Sequence, residues 1–260
     1  MKETEEQLTA LVCGSTQGIG RACAKALAKA GMRVILMARD KEALESTLTS
    51  LHSDGHDTIQ ADFSKPGEVL QNLKAYRKNN PGNIHILVNN TGGPSSGPLT
   101  EARPEAFRRG FEMHVINFQQ LVQELLPGMK ASGYGRIINI ISTSVKTPLT
   151  NLGVSNTIRG AVASWGKTLA NEIAAYGITV NNVLPGFTET GRLFDLIKKY
   201  AEKSGRTVEE ETRLMEERVP AKRFAQPEEI AAAVNFLAST EAAYINGINL
   251  PVDGGRTPSL

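Results

Sequence analysis

Three glycines, spaced Gly14-x-x-x-Gly18-x-Gly20, follow an apolar run at residues 8–12 and precede a small-residue helical segment at residues 21–30. Strand, glycine turn and helix in this order are typical of the start of a dinucleotide-binding unit. The glycines permit the tight turn, the approach of main-chain N–H groups to a pyrophosphate, and close packing of helix on strand. The positive end of the helix dipole then faces the phosphates. The alternative is a tight turn that binds nothing.

Apolar runs alternate with helical patterns along the whole chain. The predicted strands lie at residues 8–12, 32–38, 57–63, 84–89, 136–142 and 178–184, and the predicted helices at residues 21–30, 41–52, 66–78, 104–130, 154–175 and 227–238. Near-continuous apolar strands separated by helices are typical of a parallel sheet that is covered on both faces. We find no linker or repeat, so the 260 residues predict one Rossmann-like α/β domain.

Residues 187–219 interrupt this alternation with two helical stretches that are rich in charge. The second stretch carries a capping box, with Thr207 as the N-cap and Glu210 three residues later. Ligands of open α/β sheets bind beyond the carboxyl ends of the strands. The insertion is therefore a candidate substrate lid, and the alternative is a pair of solvated surface helices.

Composition excludes several classes of protein. Apolar residues make up 40% of the chain, charged residues 22%, and the net charge is +2, which gives no indication of nucleic-acid or membrane binding. No apolar run approaches the ~20 residues that span a bilayer, and the polar, acidic residues 1–7 do not resemble a signal peptide. Cys13 and Cys23 suggest neither a disulfide framework nor a metal site, so we expect a cytoplasmic protein without metal.

Arg39 lies 19 positions after Gly20, where a dinucleotide fold meets the adenosine ribose. An acidic residue there binds the 2′-hydroxyl of NAD, whereas an arginine accommodates the 2′-phosphate of NADP. Arg39 therefore favours NADP over NAD, unless it is an ordinary exposed arginine. Asp40 is explained as the N-cap of the next helix. Asp62, after the third strand, is a candidate acceptor for the adenine amino group.

The chain resembles the short-chain dehydrogenase/reductase family from about residue 8 to residue 255. The motifs that carry the resemblance are the glycine turn, with Cys13 in place of the usual threonine, Asn89-Asn90-Thr91-Gly92, Pro185-Gly186-Phe187-Thr188-Glu189-Thr190 and Val252-Asp253-Gly254-Gly255. Within that family, the chain is most similar to the 3-oxoacyl-carrier-protein-reductase-like branch. The resemblance implies a single-domain fold with a seven-stranded parallel sheet. It also implies a cofactor-binding set formed by Gly14, Ser15, Thr16, Gln17, Gly18, Ile19, Gly20, Arg39, Asp62, Phe63, Asn90, Gly92, Arg159, Pro185, Gly186 and Thr188.

The active-site pattern departs from that family. The family uses a serine, a tyrosine thirteen residues later and a lysine four residues after the tyrosine. Ser142 fits the serine, but Ser155 and Arg159 stand in the places of the tyrosine and the lysine. None of the tyrosines has a lysine four positions later; they are Tyr76, Tyr134, Tyr176, Tyr200 and Tyr244. The family's fourth residue, an asparagine in the long helix, corresponds to His114, with Asn117 one turn later as the alternative.

These replacements change the chemistry that the site can perform. A serine hydroxyl is too weak an acid to exchange protons near neutral pH without a positioned base. Arg159 can bind ribose hydroxyls and supply positive charge, but it cannot act as an acid or a base. Ser142 can still polarise a carbonyl. His114 is the one candidate whose ordinary pKa suits proton exchange, unless it only fills the space of the asparagine.

The resemblance implies an NADP-dependent oxidoreductase that acts on a small carbonyl or alcohol substrate, 3-oxoacyl-like, through an atypical catalytic set of Ser142, Ser155, Arg159 and His114. One alternative is a cofactor-binding protein without redox turnover, such as a sensor or an assembly partner. A weaker alternative is an elimination or isomerisation in the same pocket. The family resemblance also implies a homo-oligomer, a tetramer or a dimer, that pairs through residues 104–130 and 242–252.

Overall fold

Seven parallel strands form one sheet within residues 7–259, the part of the chain that this computed structural model describes. The strands are β1 (Thr9–Cys13), β2 (Arg33–Ala38), β3 (Asp57–Gln60), β4 (Ile86–Asn89), β5 (Gly135–Ile140), β6 (Ile178–Pro185) and β7 (Asn249–Val252). Their order is β3-β2-β1-β4-β5-β6-β7. The strand order reverses between β1 and β4, and this switch point opens a crevice at the carboxyl ends of those strands.

Helices cover both faces of the sheet. They are α1 (Gly18–Lys29), α2 (Lys41–Leu48), α3 (Pro66–Asn79), α4 (Pro104–Phe111), α5 (Asn117–Ser132), α6 (Gly153–Ile173), α7 (Gly191–Ser204), α8 (Val208–Glu217) and α9 (Pro227–Ala238). One apolar core lies between the sheet and α1 and α9, and a second lies between the sheet and α3, α5 and α6. The predicted seven-stranded parallel α/β fold is confirmed. Within residues 7–259, no helix is both long enough and apolar enough to cross a membrane.

The predicted caps are confirmed by direct hydrogen bonds. The Asp40 carboxylate accepts the Ala43 N–H at 3.0 Å at the start of α2. At the start of α8, the Thr207 hydroxyl accepts the Glu210 N–H at 3.1 Å, and the Glu210 carboxylate accepts the Thr207 N–H at 2.9 Å. Each cap satisfies main-chain groups that the first turn of a helix leaves unpaired.

Several predicted element bounds differ from those observed; α1, for example, begins at Gly18 instead of residue 21. Three of the differences have a visible cause. Helix α2 ends at Leu48 instead of residue 52, because the Ser50 and Leu51 N–H groups bond three residues back in tightening turns. Strand β3 ends at Gln60 instead of residue 63, because the Asp62 N–H bonds the Glu68 side chain and not a neighbouring strand. The helix predicted over residues 104–130 is interrupted by a π-helical turn at Glu112–Ile116. Such turns add one residue to a helix and are frequent at functional sites.

Four asparagines form a row across the sheet, one on each of four neighbouring strands. Asn89, Asn139, Asn182 and Asn249 stand in register on β4, β5, β6 and β7. The amide nitrogens of Asn89, Asn139 and Asn182 each donate to the amide oxygen on the next strand, and all three hydrogen bonds measure 2.8 Å. The Asn89 Oδ1 atom at the end of the row is buried without a partner. The row satisfies buried polar groups inside an otherwise apolar sheet.

The predicted helical insertion consists of α7 and α8. Leu193 and Ile197 of α7 pack with Met215 of α8 and with Phe224 in a small core separate from those of the sheet. Phe187, the first residue of the insertion, contacts Phe224 edge to face at 5.8 Å between ring centroids. The insertion therefore holds its shape through apolar contacts among its own residues and with Phe224.

Candidate active site

The glycine turn between β1 and α1 requires glycine for geometric reasons. Gly14 has a φ of +59°, in the left-handed region that favours glycine. A Cβ atom on Gly20 would lie 2.1 Å from the Gly14 carbonyl oxygen, so only glycine fits there. The Asn90 side-chain amide donates to the carbonyls of Cys13 and Gly14, both at 3.3 Å, and ties the turn to the end of β4.

A cavity of about 310 Å³ lies against this turn, and we call it the outer cavity. The N-terminus of α1 has no side-chain cap, and Gln17, Gly18 and Ile19 line the cavity there. Uncapped N–H groups at a helix N-terminus bind phosphate. The predicted cofactor residues in its wall are Gly14, Thr16, Gln17, Gly18, Ile19, Gly20, Arg39, Asp62, Phe63, Asn90 and Gly92.

Arg39 and Asp62 lie on the same wall of the outer cavity. Arg39 is exposed at the end of β2, and among the described residues no carboxylate lies within ion-pair distance of it. The Asp62 carboxylate accepts hydrogen bonds from the Ser64 N–H at 2.9 Å and from its hydroxyl at 2.8 Å. The hydrogen bond from the Ser64 N–H is the main cause of the lowered pKa of Asp62. Desolvation partly opposes this shift, and the charge of Arg39 adds to it. The two side chains therefore present one cation and one anion to a ligand.

Ser15 is placed differently from the rest of the predicted cofactor set. Its side chain is fully buried beneath the glycine turn, and its hydroxyl faces the Met37 carbonyl at 3.5 Å. It does not line either cavity of the candidate site. The structure thus gives Ser15 a place in the support of the turn.

A second cavity of about 240 Å³, the inner cavity, adjoins the outer one. The two share lining residues at the crevice, namely Ile19, Asn90, Thr91, Gly92, Thr190 and Arg192. Ser142, Ser155 and Arg159 all line the inner cavity, as do Pro185, Gly186 and Thr188. A dinucleotide that lies along the outer cavity would therefore reach these predicted catalytic side chains.

Local structure explains why the three side chains meet. Ser142 follows the carboxyl end of β5, and its hydroxyl oxygen accepts the Ser144 N–H at 3.1 Å. Ser155 and Arg159 stand four residues apart near the start of α6, which places them on one face of the helix. Both are buried. The three residues thus bring two hydroxyls and one cation to one small space.

The guanidinium of Arg159 is held in place by a main-chain acceptor. Its Nη1 atom donates to the Ile140 carbonyl at 2.8 Å. Burial, and then the nearby charge of Arg192, lowers the pKa of Arg159 to about 10. Arg159 therefore stays protonated at neutral pH.

His114 lies in the π-helical turn and is completely buried. Its Nδ1 atom is 2.9 Å from the Gly110 carbonyl, which can only accept, so Nδ1 carries the proton. Nε2 is then an acceptor, and it has no partner among the described residues. Burial, with the charge of Arg159 as the next cause, lowers the pKa of His114 to about 3.

The expectation that His114 has an ordinary pKa is therefore wrong. Desolvation disfavours the imidazolium, and the neighbouring arginine charge disfavours it further. His114 does not line the inner cavity; its ring packs edge to face on Phe118, with 6.1 Å between the centroids. It is a neutral hydrogen-bond acceptor behind the wall of the site.

The alternative residue, Asn117, points elsewhere. Its side-chain nitrogen donates to the Phe63 carbonyl at 2.8 Å and fixes the segment that follows β3. The electrostatic neighbours of His114 are Arg159 and Arg192. Of the two candidates, His114 is the one beside the predicted catalytic arginine.

Sequence reasoning missed two arginines that line the inner cavity, Arg192 and Arg256. Arg192 reaches from the first turn of α7 to the carbonyls of Gly93 and Pro94, at 3.2 Å each. Arg256 stacks on the Phe187 ring, with 4.0 Å from the guanidinium carbon to the centroid. The only signals in the sequence were their positions, two residues after one family motif for Arg192 and one residue after another for Arg256.

The fold and the glycine turn define a nucleotide-binding α/β protein of the Rossmann type. A family model described as "Enoyl-(Acyl carrier protein) reductase" matches residues 14–257. The chain belongs to the short-chain dehydrogenase/reductase family.

Known relatives differ in what they act on. The 3-oxoacyl-[acyl-carrier-protein] reductase of Vibrio cholerae is 35% identical, with 96% of this chain and 97% of the relative covered. The D-beta-hydroxybutyrate dehydrogenase of Rhizobium meliloti is 32% identical, with 96% and 98% covered. The structure of L-sorbose reductase from Gluconobacter frateurii, complexed with NADPH and L-sorbose, matches with a TM-score of 0.90, 31% identity and 98% of both chains covered. The family therefore leaves the substrate open.

Proposed function

We propose that this chain is an NADP-dependent oxidoreductase that interconverts a small carbonyl compound and the corresponding alcohol without a catalytic tyrosine. The observation that carries the proposal is the pair of adjoining cavities, with Arg39 at the outer end and Ser142, Ser155 and Arg159 at the inner end. When bound, NADP supplies or accepts the hydride. Gly14, Gly18 and Gly20 line the outer cavity at the uncapped N-terminus of α1, where main-chain N–H groups can bind its phosphates.

The side chains of the inner cavity bind and polarise the substrate oxygen. The Ser142 oxygen already accepts a hydrogen bond from Ser144, so its O–H is available to donate. Ser155 offers a second hydroxyl, and Arg159 supplies a fixed positive charge next to the oxygen that becomes negative. A charge held by a hydrogen bond to the strand end needs little reorganisation during the reaction.

His114 takes part as an acceptor and not as a proton-donating imidazolium. With a pKa of about 3, it is almost entirely neutral at pH 7. Its Nε2 lone pair has no partner among the described residues, so it can accept a hydrogen bond. In this proposal, the proton that the substrate oxygen gains comes from solvent, and His114 orients the water that carries it.

The first test is titration of NADPH and NADH into the purified protein, followed by a panel of carbonyl compounds with excess NADPH. We expect NADPH to bind at least about tenfold more tightly than NADH, since arginine–phosphate pairs are charge-assisted. We also expect slow reduction that Ser142→Ala abolishes. Absence of binding by either nucleotide would overturn the proposal, as would the absence of turnover across the panel.

A second candidate is a protein of this family that binds NADP without redox turnover. The observation that favours it is that Ser142, Ser155, Arg159 and His114 include no group with a pKa near neutrality. NADPH binding without any substrate reduction supports this candidate, and reduction that depends on Ser142 contradicts it.

We further propose a cytoplasmic homo-oligomer. Exposed aromatic side chains support the assembly: Phe111 lies on α4, Phe236 on α9, and Tyr244 just before β7. These lie within or beside the two segments that the family resemblance names. Light scattering after size-exclusion chromatography tests it, and a monomer at micromolar concentration would refute it.

A further inference from the structure

The charged side chains that line the inner cavity are all positive. Arg159, Arg192 and Arg256 line it, and none of its described lining residues is an aspartate or a glutamate. Arg159 is buried, Arg256 is partly buried and Arg192 is exposed. Three positive charges on one cavity wall favour a ligand of negative charge.

Two of the three arginines already donate hydrogen bonds to main-chain carbonyls. Arg159 donates to the Ile140 carbonyl, and the family resemblance implies that it binds the ribose. Arg192 donates to the carbonyls of Gly93 and Pro94, and it also lines the outer cavity, where the cofactor phosphates would lie.

Arg256 differs from both. It lines the inner cavity alone, and among the described residues no hydrogen-bond acceptor or ion-pair partner contacts its guanidinium. The nearest carboxylate, Asp253, accepts the N–H groups of Gly255 at 3.0 Å and Thr257 at 2.7 Å, so it is occupied by its own turn. The Phe187 ring holds one face of the guanidinium, which leaves its N–H edge free for a planar ligand.

Building on the proposed function, we propose that the substrate is a small oxo acid whose carboxylate is bound by Arg256 in the inner cavity. A planar carboxylate matches the paired N–H groups of a guanidinium. The carbonyl of the same molecule would then lie toward Ser142 and Ser155. Burial lowers the pKa of Arg256, and the charge of Asp253 partly opposes that shift.

The test compares acids with their methyl esters, which have the same carbonyl but no charge. Acetoacetate and levulinate, and their methyl esters, are titrated calorimetrically into protein saturated with NADP⁺ and into protein without nucleotide. The variants are Arg256→Gln, Arg256→Lys and, as the matched control, Arg218→Gln. Arg218 is an exposed arginine whose charge acts on Arg256 but which does not line the inner cavity.

We expect the acids to bind at least about tenfold more tightly than the esters in the unmodified protein and in Arg218→Gln. Arg256→Gln should abolish that preference while leaving NADP⁺ affinity within about twofold, and Arg256→Lys should keep part of it because lysine keeps the charge. If Arg256→Gln does not fold, the weaker preference of Arg256→Lys serves as the test. Equal binding of acids and esters, binding of neither, or a preference that survives Arg256→Gln would overturn the inference.

The outcomes separate the two proposals. If NADP⁺ does not bind but the acids bind through Arg256, the oxidoreductase proposal fails and the carboxylate site stands. If NADP⁺ binds and the acid preference is absent, the carboxylate site fails and the oxidoreductase proposal stands.

Discussion

The Nη1 atom of Arg159 donates a hydrogen bond of 2.8 Å to the carbonyl of Ile140, the last residue of β5. This bond holds the positive charge of Arg159 at the carboxyl end of β5. Ser142 lies at the same strand end, two residues after Ile140. In the proposed function, this anchored arginine supplies the positive charge of the site, and the tyrosine that donates the proton in the family is absent. The proton donor and the charge can therefore be tested separately.

Restoring the family pattern should increase turnover. In the double variant Ser155→Tyr/Arg159→Lys, a phenol beside an ammonium group replaces a hydroxyl that is a poor acid. A positioned general acid contributes roughly 10²–10⁴-fold to rate, so we expect kcat for an oxo substrate to rise at least about tenfold, measured by NADPH absorbance. The matched control, Ser155→Phe/Arg159→Lys, has the same bulk without the hydroxyl and should stay at the original rate. Equal rates for the two double variants would contradict the prediction.

Burial of neutral His114 should make the fold sensitive to acid. Its pKa falls to about 3 in the folded protein, while in the unfolded chain it is about 6.5. The unfolded state then binds more protons between these values, so the stability that neutral His114 contributes is complete above pH 6.5 and is lost as pH falls toward 3. Between pH 7 and pH 5 the loss is about 2 kcal/mol. Urea unfolding of the unmodified protein and of His114→Asn at both values measures it; the same loss in both proteins would count against the burial of His114.

Arg39 should determine the preference for NADPH. Its side chain is exposed on the wall of the outer cavity, so Arg39→Ala should reduce NADPH affinity about tenfold while NADH affinity changes little. Lys41→Ala is the control, because Lys41 is exposed two residues later and pairs with Glu45 at 3.8 Å. Fluorescence titration gives both affinities. If Lys41→Ala and Arg39→Ala weaken NADPH binding equally, a general charge effect explains the result.

Arg192 should hold α7 against the loop that follows β4. Arg192→Ala removes two hydrogen bonds of 3.2 Å to the carbonyls of Gly93 and Pro94, and the start of α7 should then open more often. Amide hydrogen exchange in residues 191–204 should become about tenfold faster, in line with the loss of charge-assisted hydrogen bonds. Arg213→Ala, an exposed change on α8, should leave that exchange unchanged. Unaltered exchange in Arg192→Ala would show that the contact does not hold the helix.

The asparagine row should be sensitive to the loss of one member. Asn139→Ala leaves the Asn89 amide nitrogen without its acceptor and the Asn182 amide oxygen without its donor, both in a buried position. Unsatisfied buried groups of this kind cost about 2–4 kcal/mol together. Chemical denaturation measures the change, and Asn79→Ala, on the exposed end of α3, serves as the control. A loss below about 1 kcal/mol would mean that water or rearrangement satisfies the row.

The sequence was sufficient for the parts of the molecule that follow local rules. Apolar runs separated by helical patterns predicted the order of the elements, and Asp40 and Thr207 were recognised as caps because capping depends on residues three positions apart. The glycine turn was also predicted, because its three glycines lie within seven consecutive residues. The seventh strand came from the family resemblance, since Asn249–Val252 is short and only partly buried.

The properties that depend on tertiary packing were not predictable in the same way. The pKa of His114 results from burial between helices and from the charge of Arg159, neither of which its neighbours in the chain specify. Arg192 and Arg256 lie 64 positions apart in the sequence and meet only because the insertion and the end of β7 close on one cavity. The catalytic assignments for Ser142, Ser155 and Arg159 remain predictions that the geometry supports.

The asparagine row has a consequence for how the sheet forms. Strands β4, β5 and β6 are buried on both faces, so their apolar residues alone distinguish poorly between one alignment of neighbouring strands and the next. Side chains alternate between the two faces of a sheet. A slip of one residue would therefore move an asparagine to the opposite face and leave its amide among aliphatic groups without a hydrogen-bond partner. Only one alignment of the four strands makes all three amide bonds. The row thus does more than stabilise the sheet, because it also favours the native alignment of the strands over shifted ones.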